Sequence, residues 1–213
     1  TGHGFNVGIY YDIADNISMG VSYRSGVGID LQEGQARFDV PPILSSAFPD
    51  TRFTSGLNLP SVFNVGIAIK ASDKLTLAAE MNYVGWSSYD TLSFDFEENT
   101  PQLQDVNSPR RYKNVVILRA GAEYEFRDEF TLRAGMYYDF TPVQDGFMTP
   151  ETPDMDRIGL TIGATYRLSN FEMDASFLYV VGGERTDTNL EQGFSGRWYS
   201  TAFIPGISLR YKF

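Results

Sequence analysis

The side chains able to do chemistry in this chain are few and unevenly placed. Its 213 residues contain no cysteine, which removes thiolate nucleophiles, thiolate metal ligands and disulfides. The single histidine, His3, lies beside the first residue. A nucleophile–imidazole–carboxylate arrangement needs its imidazole held at the centre of a rigid site, so no catalytic residue is assigned. The acidic residues Glu97, Glu98, Asp105, Asp145, Glu151, Asp154, Asp187 and Glu191 show none of the spacing of a calcium loop, so no metal site is assigned. Two groups remain. Arg110-Arg111 is a doubled guanidinium, and a guanidinium fork grips a carboxylate in two places. The same pair also suits a loop or lipid-headgroup contact. The second group is Arg24, Lys70, Glu80, Arg119, Glu123, Arg133, Asp139 and Arg157. Their chemistry is mutual ion pairing, which makes a structural network rather than a proton relay.

These charges sit in phase with something. Residues 17–31 place Ile17, Met19, Val21, Tyr23, Val27, Ile29 and Leu31 against Ser18, Gly20, Ser22, Arg24, Gly26, Gly28 and Asp30. Residues 130–140 place Phe130, Leu132, Ala134, Met136, Tyr138 and Phe140 against Thr131, Arg133, Gly135, Tyr137 and Asp139. A strand sends successive side chains to opposite faces, so both segments read as strands apolar on one side only. The same alternation runs through residues 5–12, 61–70, 75–83, 112–126, 155–168, 171–181 and 198–213. That makes nine antiparallel strands and no convincing helix. Near Gly85-Trp86 the phase slips and Leu92, Phe94 and Phe96 become the apolar set, which reads as a bulge. Short turns at 14–16, 71–74, 127–129 and 169–170 alternate with long loops at 32–57, 97–110, 141–154 and 182–197.

Composition narrows what covers the apolar face. Aromatic residues make up 15% of the chain, with a mean hydropathy of −0.23. No run of apolar residues is long enough for a membrane helix, which leaves a membrane barrel untouched because each of its strands signals weakly. The net charge of −10 argues against nucleic acid as a partner. A soluble β-sandwich shares the alternation. Three features favour lipid. Glycines (Gly8, Gly20, Gly66, Gly121, Gly135, Gly159, Gly163) recur on the charged face, as on an inward wall that other backbone approaches closely. Aromatics recur at strand ends on the apolar face (Phe5, Tyr23, Tyr83, Phe126, Tyr166, Tyr211), as at a headgroup belt. Phe213 ends the chain on an aromatic inside a strand. Trp86 and Tyr89 read as interface anchors. The expected fold is an all-β antiparallel transmembrane barrel. With short turns in the periplasm, residues 5–12 run inward from outside, so an odd number of strands should precede Thr1. Residues 1–213 are then the C-terminal portion of a longer barrel domain.

Several ordered stretches resemble the FadL/TodX family of outer-membrane transporters for hydrophobic compounds. They are Gly4-Phe5-Asn6-Val7-Gly8, Tyr23-Arg24-Ser25, Leu57-Asn58-Leu59-Pro60, Tyr83 with Trp86-Ser87, Leu132-Arg133-Ala134-Gly135, Thr141-Pro142-Val143, Pro153-Asp154-Met155-Asp156-Arg157, and the terminal Phe213. The resemblance implies a fourteen-stranded barrel of which these are the last nine strands, with the N-terminal plug and first strands outside the sequence. It implies a multi-pass protein of the bacterial outer membrane, in contact with membrane lipid and lipopolysaccharide, with no cofactor. It implies passive uptake of hydrophobic molecules such as long-chain fatty acids or aromatic hydrocarbons, and a cationic ligand contact near Arg110 and Arg111, although the residue types there differ from the family's. The lumen charges would then surround the plug. The alternative role within the family likeness is a structural or docking subunit of a secretion complex, with a protein partner on the extracellular loops.

Overall fold

The computed structural model describes residues 1–213. The alternating segments form nine strands that pair only with their neighbours: β1 (Asn6–Ala14), β2 (Ile17–Arg24), β5 (Val62–Ser72), β6 (Leu75–Val84), β9 (Val115–Arg127), β10 (Phe130–Asp139), β11 (Arg157–Leu168), β12 (Phe171–Thr188) and β13 (Ser195–Tyr211). They make one antiparallel sheet in the order β1-β2-β5-β6-β9-β10-β11-β12-β13. Tight turns such as Asp15-Asn16, Asp73-Lys74, Asp128-Glu129 and Ser169-Asn170 close one end. The long connections all lie at the other end.

Register across this wall carries side chains into rows. One row on the polar face runs Tyr10, Gly20, Gly66, Glu80, Arg119, Tyr137, Gly159, Val180, Ala202. The next runs Asp12, Ser18, Ala68, Ala78, Gly121, Gly135, Thr161, Leu178, Ile204. From Ser18 to Thr161 the second row is a band of small residues, and a cavity of about 900 Å³ lies along it. The opposite face is apolar and open, with Ile9, Leu118, Met136, Ile162, Phe203 and Ile207 all exposed. Aromatic pairs mark strand ends: Phe5 with Tyr23 (5.9 Å between ring centres), Phe126 with Phe130 (6.4 Å) and Tyr211 with Phe213 (5.3 Å). There is almost no buried core, because a single wall has nothing to bury except at its upper end.

The long connections depart from expectation. Residues 17–31 are not one strand. The chain leaves the wall at Ser25-Gly26, where a Cβ on Gly26 would stand 3.0 Å from the Leu59 carbonyl, and β3 (Val27–Ala36) belongs to a second sheet. The expected loop 32–57 contains the second half of β3 and most of β4 (Thr51–Leu59) around a 3₁₀ turn at Pro42–Leu44. The expected bulge at Gly85-Trp86 is instead a 3₁₀ turn, Trp86–Ser88, leading to β7 (Thr91–Phe96), and the expected loop 97–110 contains β8 (Val106–Pro109). These four strands form their own sheet, β3-β4-β7-β8. Alternation cannot tell which sheet an amphipathic strand will join, which is why the phase slip was legible and its consequence was not. The expected loop 182–197 is mostly strand as well, since β12 and β13 extend past the wall as a long hairpin whose register shifts between Gly182 and Arg185.

Two glycines are filled by aromatic rings from the neighbouring strand. Tyr137 lies across Gly159, where an added Cβ would come within 2.0 Å of the ring. Phe53 lies across Gly34 in the second sheet at 2.4 Å. Gly20 has nothing within 4 Å. Gly159→Val is therefore expected to expel the Tyr137 ring and cost about 1–3 kcal/mol, read as a lower urea midpoint or a lower temperature of the folded-to-unfolded gel shift. Gly20→Ala should leave both readings unchanged.

Candidate functional site: the inner face and its mouth

The polar rows are filled by cross-strand ion pairs. On adjacent strands, residues directly opposite stand about 5 Å apart, so Glu80 opposite Arg119, Glu123 opposite Arg133 and Asp139 opposite Arg157 are placed to meet by register alone. They do, at 2.8, 2.6 and 2.9 Å. Each pair recruits uncharged groups. Arg119 also bonds Asn82, which donates to Asn64 (2.6 Å), which donates to Ser22 (3.0 Å), so one chain of contacts crosses β2, β5, β6 and β9. Arg133 donates to the Thr165 hydroxyl and lies 3.9 Å from Asp174. Arg157 reaches Asp154 at 3.3 Å, and Asp154 accepts from the Thr141 hydroxyl at 2.7 Å. A further tier joins Glu172 to Arg167 (3.0 Å) and Arg210 (2.8 Å), with Arg167 donating to Thr131 at 2.9 Å.

Six of the eight charges expected in this network are thereby paired. Arg24 and Lys70 join no ion pair. Lys70 stands opposite Thr76, and the next acid in its row, Glu123, is a further strand away, at about 10 Å and already held by Arg133. Arg24 ends β2 opposite Val62 and Asn6, with no acid in its row. Thr131, Thr165, Asn64 and Asn82 were missed as members. Their only sequence signal is that they fall in phase with the charges.

The mouth is built from the long connections. Tyr112, Val143 and Met148 form a buried cluster, with Trp86, Tyr89 and Trp198 packed against it. Tyr112 meets Tyr89 edge-on at 5.1 Å and Trp86 at 5.9 Å. Trp86 and Tyr89 thus pack inward on the mouth rather than anchoring at the lipid interface, because the 3₁₀ turn swings them over Tyr112. Burial raises the Tyr112 pKa, so its phenol stays neutral at physiological pH beside Thr152, 3.4 Å away. Met148 had no sequence signal; it is an apolar residue in the expected loop 141–154.

Arg110 and Arg111 part company here. Arg110 is 4% exposed; it donates to the Thr149 hydroxyl at 2.9 Å and to Glu151 at 3.0 Å, and its Nε has no partner. Arg111 has φ 46° and sits exposed with its guanidinium 5.2 Å over the Phe147 ring. The backbone N–H groups of both donate to the Asp90 carbonyl, at 2.6 and 2.9 Å. The 140–156 connection is fixed on its other side too. Asp187 accepts from the Gly146 N–H at 2.9 Å, Asn189 donates to the Met148 carbonyl at 3.0 Å, and Arg185 bonds Asp145 at 2.8 Å and the Asp154 carbonyl at 3.1 Å.

The whole chain, residues 1–213, matches the family model described as outer membrane protein transport protein (OMPP1/FadL/TodX). The chain belongs to this family. It is 26% identical over 223 aligned residues to the 47 kDa outer membrane protein of Pasteurella multocida, covering all of this chain and 50% of that one. It is 27% identical over 184 residues to the long-chain fatty acid transport protein of Escherichia coli K12, covering 82% of this chain and 40% of that one. Among solved structures it resembles a Pseudomonas aeruginosa FadL homologue, with TM-score 0.83 and 24% identity over 98% of this chain and 52% of the other. It also resembles the Pseudomonas putida toluene transporter TodX, with TM-score 0.66 and 21% identity over 100% and 50%. The chain spans about half the length of these relatives. Its nine-stranded wall is thus part of an outer-membrane β-barrel, with the apolar face toward lipid and the charged rows toward the lumen. The family is one of transport channels rather than enzymes, and these names lend no support to a secretion-subunit role.

Arg110 ties the 140–156 connection to the end of β8. Arg110→Ala is expected to remove about 1.5–3 kcal/mol for each charged hydrogen bond lost and to expose residues 140–156. Proteinase K added to intact cells should cut there several-fold faster. Arg111→Ala, which loses a ring contact of about 0.5–1 kcal/mol, should change that rate little.

Proposed function

We propose that the full-length protein admits hydrophobic molecules passively across the outer membrane, without a cofactor, and that residues 1–213 form the C-terminal nine strands of its barrel. The observation that carries this reading is the luminal cavity of about 900 Å³ floored by Ala68, Ala78, Gly121 and Gly135. Its flanking charges, Glu80 with Arg119 and Arg133 with Glu123, neutralise one another. A surface of small residues whose lining charges are all paired offers an apolar solute contact area and, within the cavity, a free ion no unpaired countercharge, Arg24 and Lys70 lying outside it. Long-chain fatty acids and toluene, after which two of the similar proteins are named, fit that description.

Arg110 and Arg111 are the ligand contacts of this reading, in different roles. Arg110 is consumed by Thr149 and Glu151 and holds its neighbour in place. Arg111 keeps its fork free above Phe147 and would receive the carboxylate of an amphiphile while Phe147 meets its chain. Outer-membrane lipid and lipopolysaccharide contact the opposite face of the wall.

The test is uptake by a Gram-negative host lacking its own long-chain fatty acid transporter and expressing the full-length protein. Labelled oleate and toluene should enter faster than in the vector control. Arg111→Glu should cut oleate uptake about tenfold, the loss of one charge-assisted contact of about 1.4 kcal/mol, and leave toluene within twofold. Rates equal to the vector control with folded protein at the surface would overturn the proposal.

A further inference from the structure

One luminal cation has a cavity beside it and no acid to meet. Arg119, Arg133, Arg157 and Arg167 each reach a carboxylate on a neighbouring strand. Arg24 does not. Its row across the wall continues through Val62, Val84 and Val115, the last two buried. Valine thus stands where β6 carries Asn82 and Glu80 in the rows below.

Arg24 lines a second cavity of about 540 Å³, together with Asn6, Ser22, Asn64, Asn82 and Val84. Glu80 and Arg119 reach into it as well, but they bond each other at 2.8 Å. Asn82 donates to Asn64, and Asn64 donates to Ser22. Among the charged groups of this cavity, the Arg24 fork alone is unclaimed. The upper cavity adjoins the one of about 900 Å³ below, since Ser22, Asn64, Glu80 and Arg119 border both. Gly20 lies four residues down β2 from Arg24, or about 14 Å. The floor there is bare: an added Cβ would meet nothing within 4 Å at Gly20 and only ordinary contacts at Gly66.

A free guanidinium above an apolar floor suits one kind of solute. A planar carboxylate takes two of its donors at once, and an attached hydrocarbon tail covers the floor. An inorganic anion gains the first contact only, and a neutral hydrocarbon only the second. We propose that Arg24 is a carboxylate station inside the lumen, where a single-chain amphiphile released from Arg111 at the mouth is held with its tail along Gly20 and Gly66. Arg24 thereby separates solute classes: it retains carboxylates and leaves toluene unengaged. The inference rests on the uptake reading above.

Binding and uptake test it separately. Full-length protein in a non-ionic amphipol, carrying Arg111→Ala to silence the mouth contact, is dialysed against labelled oleate and against labelled oleyl alcohol, its uncharged counterpart. Arg24→Gln should weaken oleate binding about tenfold, the loss of one charge-assisted contact, and leave the alcohol within twofold. Arg24→Lys should recover oleate to within threefold of the parent. Lys70→Gln, which removes the other unpaired cation, should change neither probe. The heat-induced gel shift checks folding of each variant. In the host, with Arg111 intact, Arg24→Gln should slow oleate uptake several-fold and leave toluene within twofold. If Arg24→Gln weakens acid and alcohol alike, or weakens neither, the station is overturned, and uptake of both probes by the parent then leaves the uptake reading standing. If oleate binding depends on Arg24 while the parent takes up neither probe, the station stands and the uptake reading falls.

Discussion

Inside hydrocarbon a peptide group has no partner except another peptide group, and that constraint organises this chain. It explains why the wall is built of consecutive antiparallel strands joined by turns of two residues at one end. Of 126 backbone hydrogen bonds, 102 lie within the regular elements, so the ladder and not side-chain packing holds the sheet together. Side chains are freed for other duties. The outward ones need only be apolar, and the inward ones are free to pair with one another because the register fixed by the ladder delivers acid opposite base.

Pairing of that kind is worth little where water reaches it; exposed ion pairs contribute about 0–1 kcal/mol each. The value of Glu80–Arg119, Glu123–Arg133 and Asp139–Arg157 lies in cancelling charge along a conduit. The buried hydroxyls of Thr131 and Thr165, each 1% exposed, accept from Arg167 and Arg133 and hold the guanidinia against the wall. The result is a lumen in which the small-residue band is left as the unclaimed surface.

The nine-stranded wall and its lipid face were legible in residue order, because a period of two is read directly from sequence. The charges of the network stood out but not their partners: only Glu123–Arg133 lies across a tight turn, while Glu80–Arg119 and Asp139–Arg157 join strands linked by long connections. The second sheet was not. Val27, Ile29 and Leu31 keep the phase of β2 across Ser25, and the chain leaves the wall at Gly26, which stands close to the Leu59 backbone. The mouth was half legible. Arg110-Arg111 stood out as a pair, but their divergence depends on the left-handed backbone at Arg111 and on Thr149, some forty residues on. Arg24 and Lys70 were in phase with the network yet lack an acid in reach, something phase alone does not report.

The contacts that fix the 140–156 connection span long stretches of chain: Arg110 to Thr149, Arg110 to Glu151 and Asn189 to Met148 are separated by 39, 41 and 41 residues. Four hairpins of the wall close across turns of two, while its other strand pairs join across long connections, Arg24 and Val62 standing 38 residues apart. Loop closure over forty residues is entropically costlier and slower than over two. The clasp over the mouth therefore sets after those four hairpins have zipped, in a later stage that also brings β2 to β5 across a loop of similar length.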